Sequence, residues 1–470
     1  MTGPARHDLV VIGAGPAGQK AAIQASKAGR RALIVEQTAE PGGACVSHGT
    51  IPSKTLRETA AALEGFQRRS GGVFTIERRE ALTIESLTRR LGQVVTEHET
   101  LIADQLRRNR VEVWQGRARF VARDALEVRG VDGAVRVARA SAVVIATGSR
   151  PRDPSDVPVD HEHVLDSDSI LSLRYLPASL VVLGGGVIAC EYASTFAALG
   201  VKVTIVDGAD RPLGFLDAEV VEQFTRAFER AGGTVRAGRR ARQVRWNGRD
   251  AVETRLDDGS ELSSEKLLFA LGRVASVAGL GLDAVGLATG PRGFIEVDRH
   301  FCTAVAGIYA VGDVIGPPSL ATTAMEQGRR AACHALGIPL LASGSAPIGV
   351  YTIPEIASVG LGEAEAAARP GGALVGRARF AELARGRIAG VEDGLMKLIA
   401  ARDGLVLGAQ IVGESAADLV HVAQMAIIGG LHVDVFVDHP MNFPTLGEAY
   451  RVAALDILNG ARAAVAPDAA

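Results

Sequence analysis

Residues 8–36 read DLVVIGAGPAGQKAAIQASKAGRRALIVE. An apolar strand runs into a glycine-rich turn, an alanine-rich helical stretch follows, and a second apolar strand ends on Glu36. Residues 180–207, LVVLGGGVIACEYASTFAALGVKVTIVD, repeat that order and end on Asp207. Gly13 and Glu36 stand as far apart as Gly184 and Asp207. A single GxGxxG turn is a weak signal. Two copies at matched spacing, each with its strand, helix, second strand and acid, point to two dinucleotide-binding units. The first glycine permits the tight turn, the second lets backbone approach a pyrophosphate, and the third position brings helix against strand. The helix N-terminus offers unpaired N–H groups and a positive dipole end, and the terminal acid accepts from ribose hydroxyls.

The rest of the chain bounds this reading. Its 470 residues suggest roughly three domains of about 150 residues. A hydrophobic fraction of 47% supplies large cores and excludes a disordered chain. A net charge of −2 gives no pull toward nucleic acid or an anionic membrane. Cys45, Cys190, Cys302 and Cys333 lack CxxC or histidine-rich metal spacing, which fits a reduced, cytoplasmic protein with no metal site. The apolar run from Leu180 to Val201 is broken by Gly184, Gly185 and Gly186 and carries Glu191, so it reads as strand, turn and helix rather than a membrane span. Apolar positions at Leu87, Leu91, Val94, Val95, Leu101, Ile102 and Leu106 predict a helix over 84–109 with that face in the core. Residues 111–145 read as a small antiparallel meander turning at Asp132-Gly133, and a second hairpin surrounds Asp257-Asp258-Gly259. From about Ser345 the pattern becomes mixed α+β without a nucleotide fingerprint, and residues 463–470 read as a short frayed tail.

Further motifs carry a resemblance. They are GGACVSHGTIPSK (Gly42 to Lys54), ATGS (Ala146 to Ser149), ALGR (Ala270 to Arg273), GIYAVGD (Gly307 to Asp313), YTIPEIASVGLGE (Tyr351 to Glu363) and NFPTLGEAYRVAALDILN (Asn442 to Asn459). In this order the chain resembles the flavoprotein disulfide reductases over essentially its whole length. GTIPSKTLRE with FPTLGEAYRVAAL looks most like the soluble pyridine nucleotide transhydrogenases. The resemblance implies an α/β fold with two doubly wound three-layer nucleotide-binding domains, for FAD and NAD(P), plus a C-terminal α+β dimerisation domain. The FAD-binding domain would occupy 1–150 and return over 280–344. The NAD(P)-binding domain would take 151–279 and the dimerisation domain 345–470.

The same resemblance assigns the FAD pyrophosphate and ribose to Gly13, Ala14, Gly15, Pro16, Ala17, Gly18 and Glu36, and the ribityl chain to Asp313. It places the nicotinamide nucleotide on Gly184, Gly185, Gly186, Val187, Ile188, Ala189 and Asp207. Gln37, Gly42, Gly43, Cys45, Thr50, Ala118, Thr147, Gly148, Gly272 and Ala321 are the further cofactor-binding positions it implies. Lys54 and Glu191 match the family's catalytic ion pair beside flavin N5, where positive charge suits a ring that gains negative charge on reduction.

Two departures decide the chemistry. The disulfide reductases need a second cysteine five positions after Cys45, and here that position is Thr50, whose hydroxyl can neither form a disulfide nor donate electrons as a thiolate. They also need a histidine base from the partner subunit in an H-P-T context; here the motif reads Asn442-Phe443-Pro444-Thr445, and Phe443 carries no proton, although Glu448 survives. Electrons must therefore leave the flavin directly. Cys45 reads as a small apolar filler, with a redox-sensitive thiol as the sharper alternative. His48 reads as packed and hydrogen-bonded, with a proton donor as the alternative. His439 reads as structural or surface.

Asp207 favours NAD(H) as the preferred nucleotide, with NADP(H) as second candidate, because Gly208 and Ala209 offer no arginine for a 2′-phosphate. The leading reading is hydride transfer from NAD(P)H via FAD to NAD(P)+ by a homodimer, with larger assemblies left open. The alternatives are an NADH:quinone or dye oxidoreductase and, from another class, a degenerate flavoprotein that senses NADH or scaffolds a partner.

Overall fold

The computed structural model describes residues 6–70, 84–340, 344, 346–391 and 393–465. The chain divides into two compact units, one of residues 1–55, 88–153 and 272–342, the other of residues 56–87, 154–271 and 343–470.

In the first unit, strands order as Glu112–Gln115, Ala32–Glu36, Arg6–Ile12, Val135–Ile145, Ala125–Arg129 and Arg117–Ala122, with Ile308–Ala310 also beside Val135–Ile145. Arg6–Ile12 pairs in parallel with both neighbours, matching Leu9 to Ala32 and to Ala142. Such a sheet must be buried on both faces, and the alternation of its side chains shows how. Leu9, Val11, Ile34 and Val144 pack with Ala21, Ala22, Ala331 and Ala332 of helices Pro16–Lys27 and Ala321–Leu336. Val10, Ile12, Leu33 and Val143 face the other way, against Phe120, Leu126 and Ile295. Gly328 is where the two helices meet, since a Cβ there would lie 2.0 Å from the Ala17 carbonyl oxygen.

The stretch 111–145 is a meander only from Arg117 onward. Glu112–Gln115 instead joins Ala32–Glu36 in parallel, and Glu112 accepts from buried His7 at 3.0 Å. Helix Ile84–Arg108 forms as expected. Ile102 and Leu106 are buried, but Leu101 is 45% exposed and does not belong to the core face assigned to it; Leu87's side chain lies outside the described residues.

The second unit holds a parallel sheet ordered Thr234–Ala237, Lys202–Asp207, Ser179–Leu183, Lys266–Phe269 and Val164–Leu165. Leu180, Val182, Val203 and Ile205 pack under Phe196, Phe224 and Phe228 of helices Val187–Ala198 and Ala218–Arg230. Val181, Leu183 and Val206 meet Val244, Val252 and Leu256 of a three-stranded antiparallel layer. That layer contains the hairpin read at Asp257-Asp258-Gly259, where Leu256 N–H donates to Ser260 at 2.8 Å. The C-terminal part of this unit is a five-stranded antiparallel sheet, with Ile348–Val350 at one edge and Leu374–Arg379 at the other. Helices Ala416–Ile428 and Glu448–Val465 belong to the same part, and the second continues to Val465, past the point where a frayed tail was expected. Among the described residues no helix is long and apolar enough to cross a membrane, and no cluster of side chains could hold a metal ion.

Candidate active site and nucleotide cradles

The first cradle sits where the parallel strands of the first unit end. Gly13 has φ +102°, and a Cβ there would lie 2.5 Å from the Ala146 carbonyl oxygen, so the ATGS turn needs glycine opposite it. A Cβ at Gly18 would lie 1.9 Å from the Gly13 carbonyl oxygen, which brings Pro16–Lys27 hard against its strand. Gly15 is different: it is extended, caps the helix without a side chain, and has nothing within 4 Å of an added Cβ. Pro16 opens the helix, and its first turn holds no acid. Backbone N–H groups are thus left facing open space, the arrangement a pyrophosphate requires.

Glu36 is buried, with one oxygen accepting from Ala14 N–H at 2.7 Å and the other from Thr38 N–H at 3.0 Å. Gly42 N–H donates to Ala14 at 3.1 Å, and Gly43 lies against Gly15. Thr147 Oγ1 is buried without a hydrogen-bond partner, and Gly148 beside it, at φ +70°, has no atom within 4 Å of an added Cβ. Asp313 accepts from Ser149 Oγ at 2.7 Å, and Arg273 Nε donates to the same Ser149 oxygen at 2.8 Å. Ala321 opens its helix after an extended Leu320, again with no acid in the first turn. These residues fit a dinucleotide: an orphaned buried hydroxyl, an open glycine cradle and a buried ribose-type acid lie at one end of one sheet. Gln37 is exposed beyond Glu36, and Ala118 is a buried strand residue packed in the core.

The second cradle repeats the device in the second unit. Gly184 has φ +114°, and a Cβ there would lie 2.8 Å from the Ala270 carbonyl oxygen. At Gly185 a Cβ would lie 2.2 Å from an Asp207 carboxylate oxygen, so that carboxylate folds over the turn. Gly186 is extended, uncapped and open, and no acid stands in the first turn of Val187–Ala198. Val187 and Ile188 are half-buried, and Ala189, at the third-glycine position, is fully buried. Glu191 is buried and accepts from Tyr351 N–H at 2.8 Å, a contact from the YTIPEI motif that sequence reading did not foresee. That motif also supplies Glu355, paired with buried Arg57 at 3.1 Å. Burial pushes the Glu355 carboxyl above its usual range, and Arg57 opposes the shift. Gly272, in the first unit, has φ +108° and accepts from Arg152 N–H at 3.2 Å.

Cys45 lies in the short helix Ala44–Ser47, and Thr50 begins helix Thr50–Ser70. Burial raises the Cys45 thiol above its ordinary value; a Thr50 hydrogen bond and the Lys54 charge pull it down, and Asp313 adds to the rise. Lys54 is half-buried on the same helix as Thr50, one turn on. All four cysteines are free. His48 is exposed and makes no side-chain hydrogen bond among the described residues, unlike the packed histidine expected there. His439 is exposed and bonds only locally, to Val435 at 3.2 Å. Phe443 is 68% exposed, and Glu448 starts the last helix.

Comparison with known proteins agrees with this geometry. Residues 7–328 match the pyridine nucleotide-disulphide oxidoreductase family, and residues 346–454 match that family's dimerisation domain. A soluble pyridine nucleotide transhydrogenase of Mycobacterium bovis (strain BCG / Pasteur 1173P2) is 44% identical over 97% of this chain and 98% of its own. One from Serratia proteamaculans (strain 568) is 39% identical over the same shares. Among solved structures, LpdA from Mycobacterium tuberculosis superposes with a TM-score of 0.89 at 27% identity, covering 96% of this chain and 99% of that one. The chain belongs to the pyridine nucleotide-disulphide oxidoreductase family, as an FAD-dependent oxidoreductase whose Cys45 has no disulfide partner.

Proposed function

We propose that this protein moves hydride between nicotinamide nucleotides through bound FAD, so that NADPH and NAD+ become NADP+ and NADH, or the reverse. When bound, FAD supplies two-electron acceptance and donation at N5. The carrying observation is the Cys45 turn: a free thiol without a disulfide partner, with a hydroxyl at Thr50 where a second sulfur would stand. The names of the curated relatives support the same reading. In it the Gly13–Gly18 turn and the start of Pro16–Lys27 hold the FAD pyrophosphate, Glu36 its ribose and Asp313 its ribityl chain. The Gly184–Ala189 turn and Asp207 hold the nicotinamide nucleotide. Lys54, with Glu191 as its counter-charge, keeps positive charge beside N5. The domain reading that goes with it has FAD bound by 1–150 and 280–344, the nicotinamide nucleotide by 151–279, and a cytoplasmic homodimer built by 345–470.

Steady-state reduction of a thio-NAD analogue by NADPH and by NADH tests the reaction. Turnover is expected with at least one donor, and none with either would end this reading. Asp207 favours a second one, an NADH:quinone or dye oxidoreductase, which rapid quinone-driven and negligible NADP-driven reoxidation would select. Replacing Thr50 with cysteine is expected to give no measurable lipoamide reduction, since Phe443 still supplies no base; appreciable turnover in a coupled lipoamide assay would contradict the account.

A further inference from the structure

Gly208 follows Asp207 directly, and its backbone does not require glycine, because its φ is not positive. Its space does. A Cβ added at Gly208 would lie 2.8 Å from Arg240 Nε, 2.9 Å from its Cζ and 3.1 Å from its Cγ. The Arg240 side chain therefore lies across Gly208, next to the acid that ends the second fingerprint. The backbone brings the two strand ends together. Strand Thr234–Ala237 runs parallel to Lys202–Asp207, after which Gly238 N–H donates to Ala209 at 2.8 Å and Arg239 N–H to Asp207 at 2.9 Å.

Two nearby arginines make contacts of their own. Arg211 donates through Nη2 to the carbonyls of Gly214 at 3.1 Å and Leu216 at 3.0 Å, which braces its own loop, while its Nη1 is buried without a hydrogen-bond partner. Arg239 pairs with Asp258 at 2.8 Å. Arg240 is exposed, and among the described residues its guanidinium has no hydrogen bond or ion pair. The Asp207 carboxylate likewise accepts no hydrogen bond there and lies over Gly185. An acid and an arginine, both without side-chain partners among the described residues, thus stand where two parallel strands end side by side.

We propose that Arg240 is the specificity-determining residue for the 2′-phosphate of NADPH, letting one ribose site serve both nucleotides. This rests on reading the second glycine turn as the nicotinamide nucleotide site. With NADH, Asp207 accepts from the ribose hydroxyls. With NADPH, the guanidinium donates to the 2′-phosphate and offsets its repulsion by Asp207, a geometry suited to the arginine fork. An exposed arm can turn toward or away from the strand end as the nucleotide changes, because exposed rotamers interconvert in picoseconds to nanoseconds.

The test is calorimetric binding of 2′,5′-ADP and 5′-AMP to the flavin-loaded protein, followed by flavin bleaching with NADPH and NADH. Arg240→Ala is expected to worsen the 2′,5′-ADP to 5′-AMP affinity ratio about tenfold at low salt, and the NADPH to NADH half-saturation ratio likewise. Added salt should shrink the difference, because the site is exposed. Arg239→Ala should leave both ratios within about twofold. Gly208→Ala, which crowds Arg240 from the opposite side, should move them in the same direction as Arg240→Ala and serves if that variant folds poorly. 5′-AMP binding that persists with unmoved ratios overturns the role of Arg240 alone. A wild type that binds neither probe and is not bleached by NADH removes the nucleotide site and the role of Arg240 together.

Discussion

Lys54→Met is expected to slow NADH-driven flavin bleaching about a hundredfold while the purified protein stays yellow. Lys54 stands four positions after Thr50 on helix Thr50–Ser70, so the two side chains share a face. Its charge is felt at the Cys45 thiol, which places the ammonium toward the turn at which the flavin ring is proposed to lie. Reduction brings negative charge into that turn, and a preorganised group aimed at developing charge commonly accounts for a hundredfold or more in rate. Anaerobic stopped-flow at saturating NADH is the measurement. A rate within about fivefold of wild type, with FAD retained, would take the lysine out of the chemistry.

Lys397→Met should lower stability by about 3–5 kcal/mol, close to 10 °C in melting temperature for a unit of this size. Lys397 is 2% exposed and bonds Asp217 at 2.8 Å and Glu219 at 3.1 Å, with Glu363 its third partner. Arg377 reaches Glu219 at 3.0 Å and Glu363 at 2.9 Å on the far side. Asp217 also caps helix Ala218–Arg230, accepting from Glu219 N–H at 3.0 Å. Removing the lysine leaves a buried carboxylate without its cation, and that stranded charge, more than the lost contact, makes the loss large. Lys397→Met combined with Asp217→Asn should recover part of the loss, and a strictly additive double variant would argue against the coupling.

The pH dependence has a definite sign. Burial works against the Glu363 charge, but the hydrogen bond and charge of Lys397, with Arg377, outweigh it and hold its carboxyl below the ordinary 4.5. Burial also opposes the Lys397 charge, and hydrogen bonds to Asp217 and Glu363 overcome it, raising the amine above 10.5. A depressed acid contributes stability above its unfolded value and loses it as pH falls through the folded one. A raised base contributes below its unfolded value and loses it as pH rises through the folded one. The advantage of wild type over Lys397→Met is therefore expected to be level from about pH 5 to pH 10 and to shrink on the acid side of 4.5.

The two glycine turns were legible because each is a local event: a strand, a tight turn and a helix start within a few residues, and each glycine answers a nearby backbone. Even the ATGS motif has a visible cause once Gly13 is seen against Ala146. What stayed hidden lies across the fold. Periodicity marks Glu112–Gln115 as a strand but cannot say that its partner is Ala32–Glu36 rather than the strand that follows. Gly208 and Ala209 offer no cation by themselves, and Arg240 comes to lie across Gly208 only because two parallel strands end side by side. Tyr351 and Glu355 were recognised as part of a motif, yet their work, holding Glu191 and Arg57, shows only in tertiary contact.

Helices Pro16–Lys27 and Val187–Ala198 both begin at a bare glycine with no acid in the first turn. A serine or aspartate at either start would add a few tenths of a kcal/mol to the empty protein, and the chain does without it. Its endurance is thereby handed to its ligands: a site filled at a hundredfold excess over Kd adds about 2.7 kcal/mol. Copies without bound nucleotide lack that increment and would be the first to unfold.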